Sequence, residues 1–127
     1  MEKKVKILSY IREINQAIND FEFKFQQTYE ISFNEGVVMC LLKKGPLSSG
    51  ELSKELKLSA SNTSKVIKTV EDKGFIERYM GEKDRRKMYF TLTEMGKIKV
   101  ASIRCDENQM PVNLRELVQI SKSINNL

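Results

Sequence analysis

Helix starts and stops recur so closely between Ser32 and Gly74 that this stretch has room only for short helices joined by tight turns. In "SFNEGVVMCLLKKGP", Ser32 can cap a helix with Glu35 reaching back to it, a capping box. Val37, Val38, Leu41 and Leu42 then supply an apolar face. Lys43 and Lys44 suit the C-terminal dipole, and Gly45-Pro46 ends the helix. In "SSGELSKELKLSASNTSKVIKTVEDKG" the same grammar repeats. Ser48 and Glu51 form a second box, opening a short helix that buries Leu52 and Leu56. "KLS" makes a tight turn, and a further helix starts at Ser59 and ends before Gly74, with Thr63, Val66, Ile67 and Val70 inward. Two short helices joined so tightly predict a helix-turn-helix.

The period changes after Gly74. "FIERYM" and "KMYFTL" alternate and are rich in aromatics, Met88, Phe90 and Leu92 opposing Lys87, Tyr89 and Thr91. They flank "GEKDRR", which predicts a two-stranded hairpin with a charged tip. Upstream, Val5, Leu8, Ile11, Ile14, Ile18, Phe21 and Phe25 recur at steps of three or four, predicting one amphipathic helix over 3–29. At ~1.5 Å per residue such a helix is roughly 40 Å long, enough to want a partner chain over its stripe. Downstream, Thr93 caps a helix in "TEMGKIKVASIRCDENQM", Pro111 marks a break, and Leu114, Leu117, Val118 and Ile124 set the face of a last helix. After the long N-terminal helix the order is thus three helices, a hairpin and two helices. A hairpin directly after a helix-turn-helix is a winged helix-turn-helix, so the fold class expected is mainly α with a small β-hairpin.

The chain's 127 residues suit one domain with a real core. The net charge of +5 is concentrated: residues 43–90 hold 12 Lys and Arg against 7 Asp and Glu, while the flanking segments nearly balance. A localised positive field is what a polyanion-binding surface needs, because neutralised phosphates release counterions. The spaced apolar residues of "MEKKVKILSYIREI" argue against a signal peptide, and no apolar run approaches the ~20 residues of a membrane span. Cys40 and Cys105 are too few for a disulfide framework, which makes a reducing cytoplasm the expected compartment. Cys40, inside "VVMCLL", reads as a small buried hydrophobe. Arg104 beside Cys105 is opposed by Asp106 and Glu107, so neither cysteine reads as a redox sensor. With no His, no Cys pair at metal spacing and no Gly-rich phosphate loop, the chain is expected to be no enzyme and to need no metal or cofactor.

The outward positions of the helix after Ser59 are Ser61, Asn62, Ser64, Lys65, Lys68 and Thr69. Short hydroxyls and an amide let a helix sit deep in a major groove, and lysines suit the flanking phosphates. The same residues also describe a solvated helix face with capping serines. In the hairpin tip, Lys83, Arg85 and Arg86 can enter a minor groove, where negative potential is focused. Asp84 reads as the acid that orients Arg86 by paired hydrogen bonds, against the plainer reading of a solvated, charge-balanced turn.

"LSASNTSKVIKTVEDKGFIERYMGEKDRRKMYFTLTEMGK", residues 58–97, resembles the DNA-binding core of the MarR family of bacterial regulators. The matching features are the E-x-K-G helix end, "FIER", the D-R-R of Asp84, Arg85 and Arg86, and "LTEMG". "ISFNEGVVMCLLKKGPLSSGELSKELKLS" fits as well, so the likeness covers roughly residues 1–110. The resemblance implies a homodimeric transcription factor, usually a repressor, often released from DNA by a small ligand or by cysteine oxidation. Ser61, Asn62, Ser64, Lys65 and Lys68 match contact positions of the recognition helix. Asp84 and Arg86 match the wing pair. The arrangement implied is a single domain, 1–127, with dimerisation helices at 1–30 and 94–127 around a winged-helix DNA-binding region at 31–93. Its partner would be a near-palindromic double-stranded operator. Two other readings use the same basic surface: an adaptor or antagonist that holds a protein, and an architectural protein that binds DNA without sequence preference.

Overall fold

The structure, a computed structural model, describes residues 2–104, 110 and 112–125. Cys105 and the break expected at Pro111 lie outside the described residues. Among the described residues nine elements follow in order: α1 (Glu2–Tyr29), α2 (Phe33–Leu42), β1 (Leu47–Ser48), α3 (Ser49–Leu56), α4 (Ala60–Asp72), β2 (Ile76–Met80), β3 (Met88–Leu92), α5 (Glu94–Ser102) and α6 (Val112–Asn125). No described helix is long and apolar enough to cross a membrane. The chain divides into two compact units, residues 31–103 and a unit of residues 1–30 with 104–127.

The 31–103 unit is a winged helix-turn-helix, as the sequence predicts, and each local signal is realised in hydrogen bonds. Ser32 and Ser48 both form complete capping boxes, with Glu35 and Glu51 as the reciprocal acids. Ser59 caps α4, its hydroxyl accepting from Asn62 N at 3.1 Å. Between α3 and α4, Lys57 takes the left-handed conformation at φ 56°. Ser53 closes that turn, its hydroxyl donating to the Leu58 carbonyl at 2.8 Å. The core is built from Val38, Met39 and Leu42 of α2, Leu52 of α3, Thr63, Ile67 and Val70 of α4, and Ile76, Phe90, Leu92 and Val100 beyond them. Thr63 is polar but costs little to bury, because its hydroxyl donates to the Ser59 carbonyl at 2.8 Å.

Two expectations change. The sheet has three strands, not two: Leu47 and Ser48 pair with Phe90 and Tyr89, giving the antiparallel order β1-β3-β2. A two-residue strand is too short to leave a period in the sequence. Cys40 is exposed rather than buried. The residues that α2 buries are Glu35, Gly36, Val38, Met39 and Leu42, and position 40 falls off that face. α5 packs into the 31–103 unit. Thr93 Oγ1 donates to the Gly74 carbonyl at 2.6 Å and accepts from Gly96 N at 3.1 Å. Thr93 N donates to the Phe75 carbonyl at 3.0 Å, so the start of α5 is sewn to the turn after α4.

Glu35 is the one charged residue among the buried side chains described. Its Oε1 accepts from Ser32 N at 2.8 Å and from Lys73 Nζ at 3.0 Å, and Oε2 lies 2.9 Å from the same ammonium. Burial pushes this carboxyl up, but the Ser32 N–H, the Lys73 ammonium and the Ser32 hydroxyl together outweigh it and hold it below the usual carboxylate range. A lowered folded value means that the stabilisation is present at neutral pH and is lost as pH falls through that value. Glu35→Ala is therefore expected to cost about 1–2 kcal/mol at pH 7. In chemical melts repeated at successively lower pH, the gap between variant and wild type should close below the carboxylate range.

In the second unit, α1 runs its full length and α6 packs against it. Phe21, Phe25 and Tyr29 form a ladder of rings with centroids 6.4 and 4.8 Å apart. The Tyr29 hydroxyl donates to the Arg104 carbonyl at 3.0 Å and accepts from Arg104 N at 2.9 Å. The α1 stripe is buried at Ala17 and Phe25 but open at its start, where Val5, Leu8 and Ile11 are 59%, 66% and 56% exposed.

Candidate nucleic-acid interface

The face of α4 opposite Thr63, Ile67 and Val70 carries Ser61, Asn62, Ser64, Lys65 and Lys68, all exposed. Ser61, Ser64, Lys65 and Lys68 stand at steps of three, one and three, which stacks them in one stripe along the helix. The helix that presents them is fixed by its cap at Ser59 and by three buried side chains, none of which lies on this outward face.

The hairpin is in register from Ile76 with Leu92 to Met80 with Met88. Beyond that last pair the chain closes through Gly81 N to the Lys87 carbonyl at 2.9 Å and Lys87 N to the Asp84 carbonyl at 3.1 Å. Gly81 is buried, and a Cβ there would lie 2.8 Å from the Tyr89 ring and 2.9 Å from the Asp84 carbonyl oxygen. Sequence reasoning passed over this glycine, although a Gly at the mouth of a charged hairpin was the available signal. It lets the tip fold back, and so decides where Asp84 stands.

At the tip, Asp84 Oδ1 accepts from Arg86 N at 3.0 Å and from Arg86 Nε at 3.4 Å. The Arg86 side chain is 94% exposed, and that of Asp84 40%. The structure thus brings together the acid and the base that the sequence pairs, with a refinement. The shorter bond is to backbone, so Asp84 first sets the turn and then steers the guanidinium. Lys83 and Arg85 are exposed beside them. On the hairpin itself, Tyr79 and Tyr89 stack with centroids 5.9 Å apart.

One further pair was not anticipated. Arg78 of β2 binds Glu71 of α4 through two N–H groups, Nε to Oε2 at 2.8 Å and Nη2 to Oε1. The signal available was an acid and a base seven residues apart across Gly74, which is weak without the fold. Elsewhere in this unit a cleft of about 400 Å³ opens between α2, β3 and α5, lined by Leu42, Leu92, Val100 and Ala101 with Lys43 and Lys97.

A basic helix face and a basic hairpin tip on one compact unit define a winged helix-turn-helix protein. Residues 36–88 match the model of the MarR family, the family that the motifs of this stretch resemble. The HTH-type transcriptional regulator YdcH of Bacillus subtilis is 29% identical over 100 residues, covering 74% of this chain and 62% of that protein. The chain thus spans less than two thirds of the length of the curated relatives it matches. Among solved structures, a mutant of E. coli MarR complexed with operator DNA superposes with a TM-score of 0.69 at 19% identity, covering 78% of this chain and 71% of that one. S. aureus MepR in complex with DNA gives 0.61 at 18% identity, covering 93% and 98%. At these identities the structural likeness is one of fold.

Proposed function

We propose that the protein is a homodimeric, sequence-specific, double-stranded DNA-binding transcriptional repressor. The observation that carries this reading is the pairing, on one unit, of the exposed Ser61–Lys68 face with a wing whose Arg86 is steered by Asp84. α4 would enter a major groove, its short polar residues reading base edges and Lys65 and Lys68 neutralising phosphates. Arg86 would enter the adjacent minor groove. The complexes of the structurally similar MarR with operator DNA and of MepR with DNA support the DNA reading. The open start of the α1 stripe supports a dimer. Two-fold symmetry then calls for a near-palindromic site with recognition helices about 34–36 Å apart, or a multiple of that. The cleft beside α2 is where a small effector of the kind the resemblance implies would be sought.

The test is selection of duplexes from a random pool followed by binding titrations. A palindromic consensus is expected. Binding without sequence preference would favour an architectural role, and no binding at low salt would favour a protein-binding adaptor. On the selected duplex, Arg86→Ala should weaken binding and lower the salt slope by about 1. Asn62→Ala should shift preference at one base position by roughly 1–3 kcal/mol. Equal loss on every sequence would rule out base reading by Asn62.

A further inference from the structure

The last turn of α4 is gripped from two sides. Lys73 pairs with Glu35 of α2, and two residues earlier Glu71 is held by Arg78 of β2. The Glu71–Arg78 contact is a two-point bond between planar groups, which fixes orientation as well as distance. The same guanidinium carbon lies 5.5 Å from the centroid of the Phe90 ring. Phe90 is Arg78's partner across the hairpin, and it also pairs with Leu47 of β1. A single side chain therefore touches α4 and β3 from its own place on β2. It stands midway along β2, on the hairpin whose far end carries Arg86.

The geometry points to Arg78 as a positioning residue: clamped to Glu71, it sets the angle between α4 and the wing so that both engage DNA at once. This rests on the DNA-binding reading above. Two neighbouring grooves present contacts at a fixed separation, so slack between helix and hairpin is magnified at the tip. At ~3.3 Å per residue the tip stands roughly 15 Å beyond Arg78, and a rotation of about 10° there displaces it by about 2–3 Å. That exceeds the tolerance of a hydrogen bond. A clamp of one planar pair removes this rotation at little entropic cost, because Arg78 is already laid against Phe90.

The competing role is a direct phosphate contact, since the Arg78 side chain is 51% exposed. Arg78→Lys separates the two, because lysine keeps the charge and loses the two-point bond. Glu71→Gln separates them again. Removing an acid near DNA tightens binding through the field alone, whereas loosening the clamp weakens it. The experiment is a set of double-variant cycles with Arg86→Ala, read as salt titrations on duplexes that the wild-type protein recovers from a random pool, with thermal melts alongside. Arg78→Lys and Glu71→Gln are each expected to weaken binding with the salt slope unchanged. In either background the penalty of Arg86→Ala should shrink by roughly threefold or more, the signature of coupled sites. Glu71→Gln, being isosteric, carries the same cycle if Arg78→Lys does not fold. Additive penalties would overturn the proposal. So would wild-type binding by Arg78→Lys together with a lost unit of salt slope in Arg78→Met, which marks a phosphate contact. A wild-type protein that recovers no duplex fails the DNA reading itself, and the proposal falls with it.

Discussion

Gly96→Ala is expected to destabilise the winged-helix unit by about 3 kcal/mol, the upper range for forcing one methyl into a packed site. A Cβ at this position would lie 2.0 Å from the Phe75 carbonyl oxygen, 3.0 Å from its carbon and 3.1 Å from Leu92 Cδ2. The first two atoms are backbone, and that carbonyl is already committed to Thr93 N at 3.0 Å. Relief would require α5 to move away from the turn after α4, breaking the Thr93 bonds to Gly74 and Phe75. For a unit of this size the loss corresponds to a fall of roughly 10–20 °C in the melting temperature. Gly50→Ala is the control, since a Cβ there meets nothing within 4 Å. In the first turn of α3 it should be neutral or stabilise by about 0.4–1 kcal/mol. Equal melting temperatures for the two variants would show that α5 does not pack as described.

The second large effect concerns α1. Leu8→Glu with Ile11→Glu places charges where two apolar side chains are 66% and 56% exposed in the isolated chain. If a second copy covers this stripe through a two-fold axis, both residues are lost from both protomers. At about 1.5 kcal/mol for each of the four side chains the loss is about 6 kcal/mol, or roughly four orders of magnitude in the dimer constant. Light scattering should then give the protomer mass of 14.7 kDa for the variant and twice that for the wild type. DNA affinity should fall with it, because one half-site remains per particle. The melting transition of the 31–103 unit should be unchanged, since neither residue belongs to that unit. A variant that stays dimeric would place the interface elsewhere.

The wing illustrates how far a local reading reaches. Glu82 to Lys87 show a cluster of charges, and the alternation around them shows a hairpin, so the Asp84–Arg86 pair could be named from residues two apart. Its geometry could not. The backbone bond from Arg86 N and the fold-back over Gly81 depend on the Tyr89 ring and the Asp84 carbonyl arriving at Gly81 from across the turn. Arg78 shows the opposite limit. Nothing in "FIER" separates it from any solvated base, because its partner Glu71 belongs to the preceding helix.

Helix starts, helix ends and the switch from helical to alternating period all rest on contacts between residues three or four apart, or two along a strand. Ser32 with Glu35, Ser48 with Glu51, and Ser59 with Asn62 are therefore readable from the chain alone, and with them the winged helix-turn-helix order. Packing decided what those contacts do not encode. It turned Cys40 outward, because α2 rotates its face to bury Met39 and Glu35. It recruited Leu47 and Ser48 as a third strand, because β3 had an open edge. It also drew α5 into the winged-helix unit through Gly96 and the Phe75 carbonyl, a fit between backbones twenty-one residues apart in which neither side chain's identity announces the other.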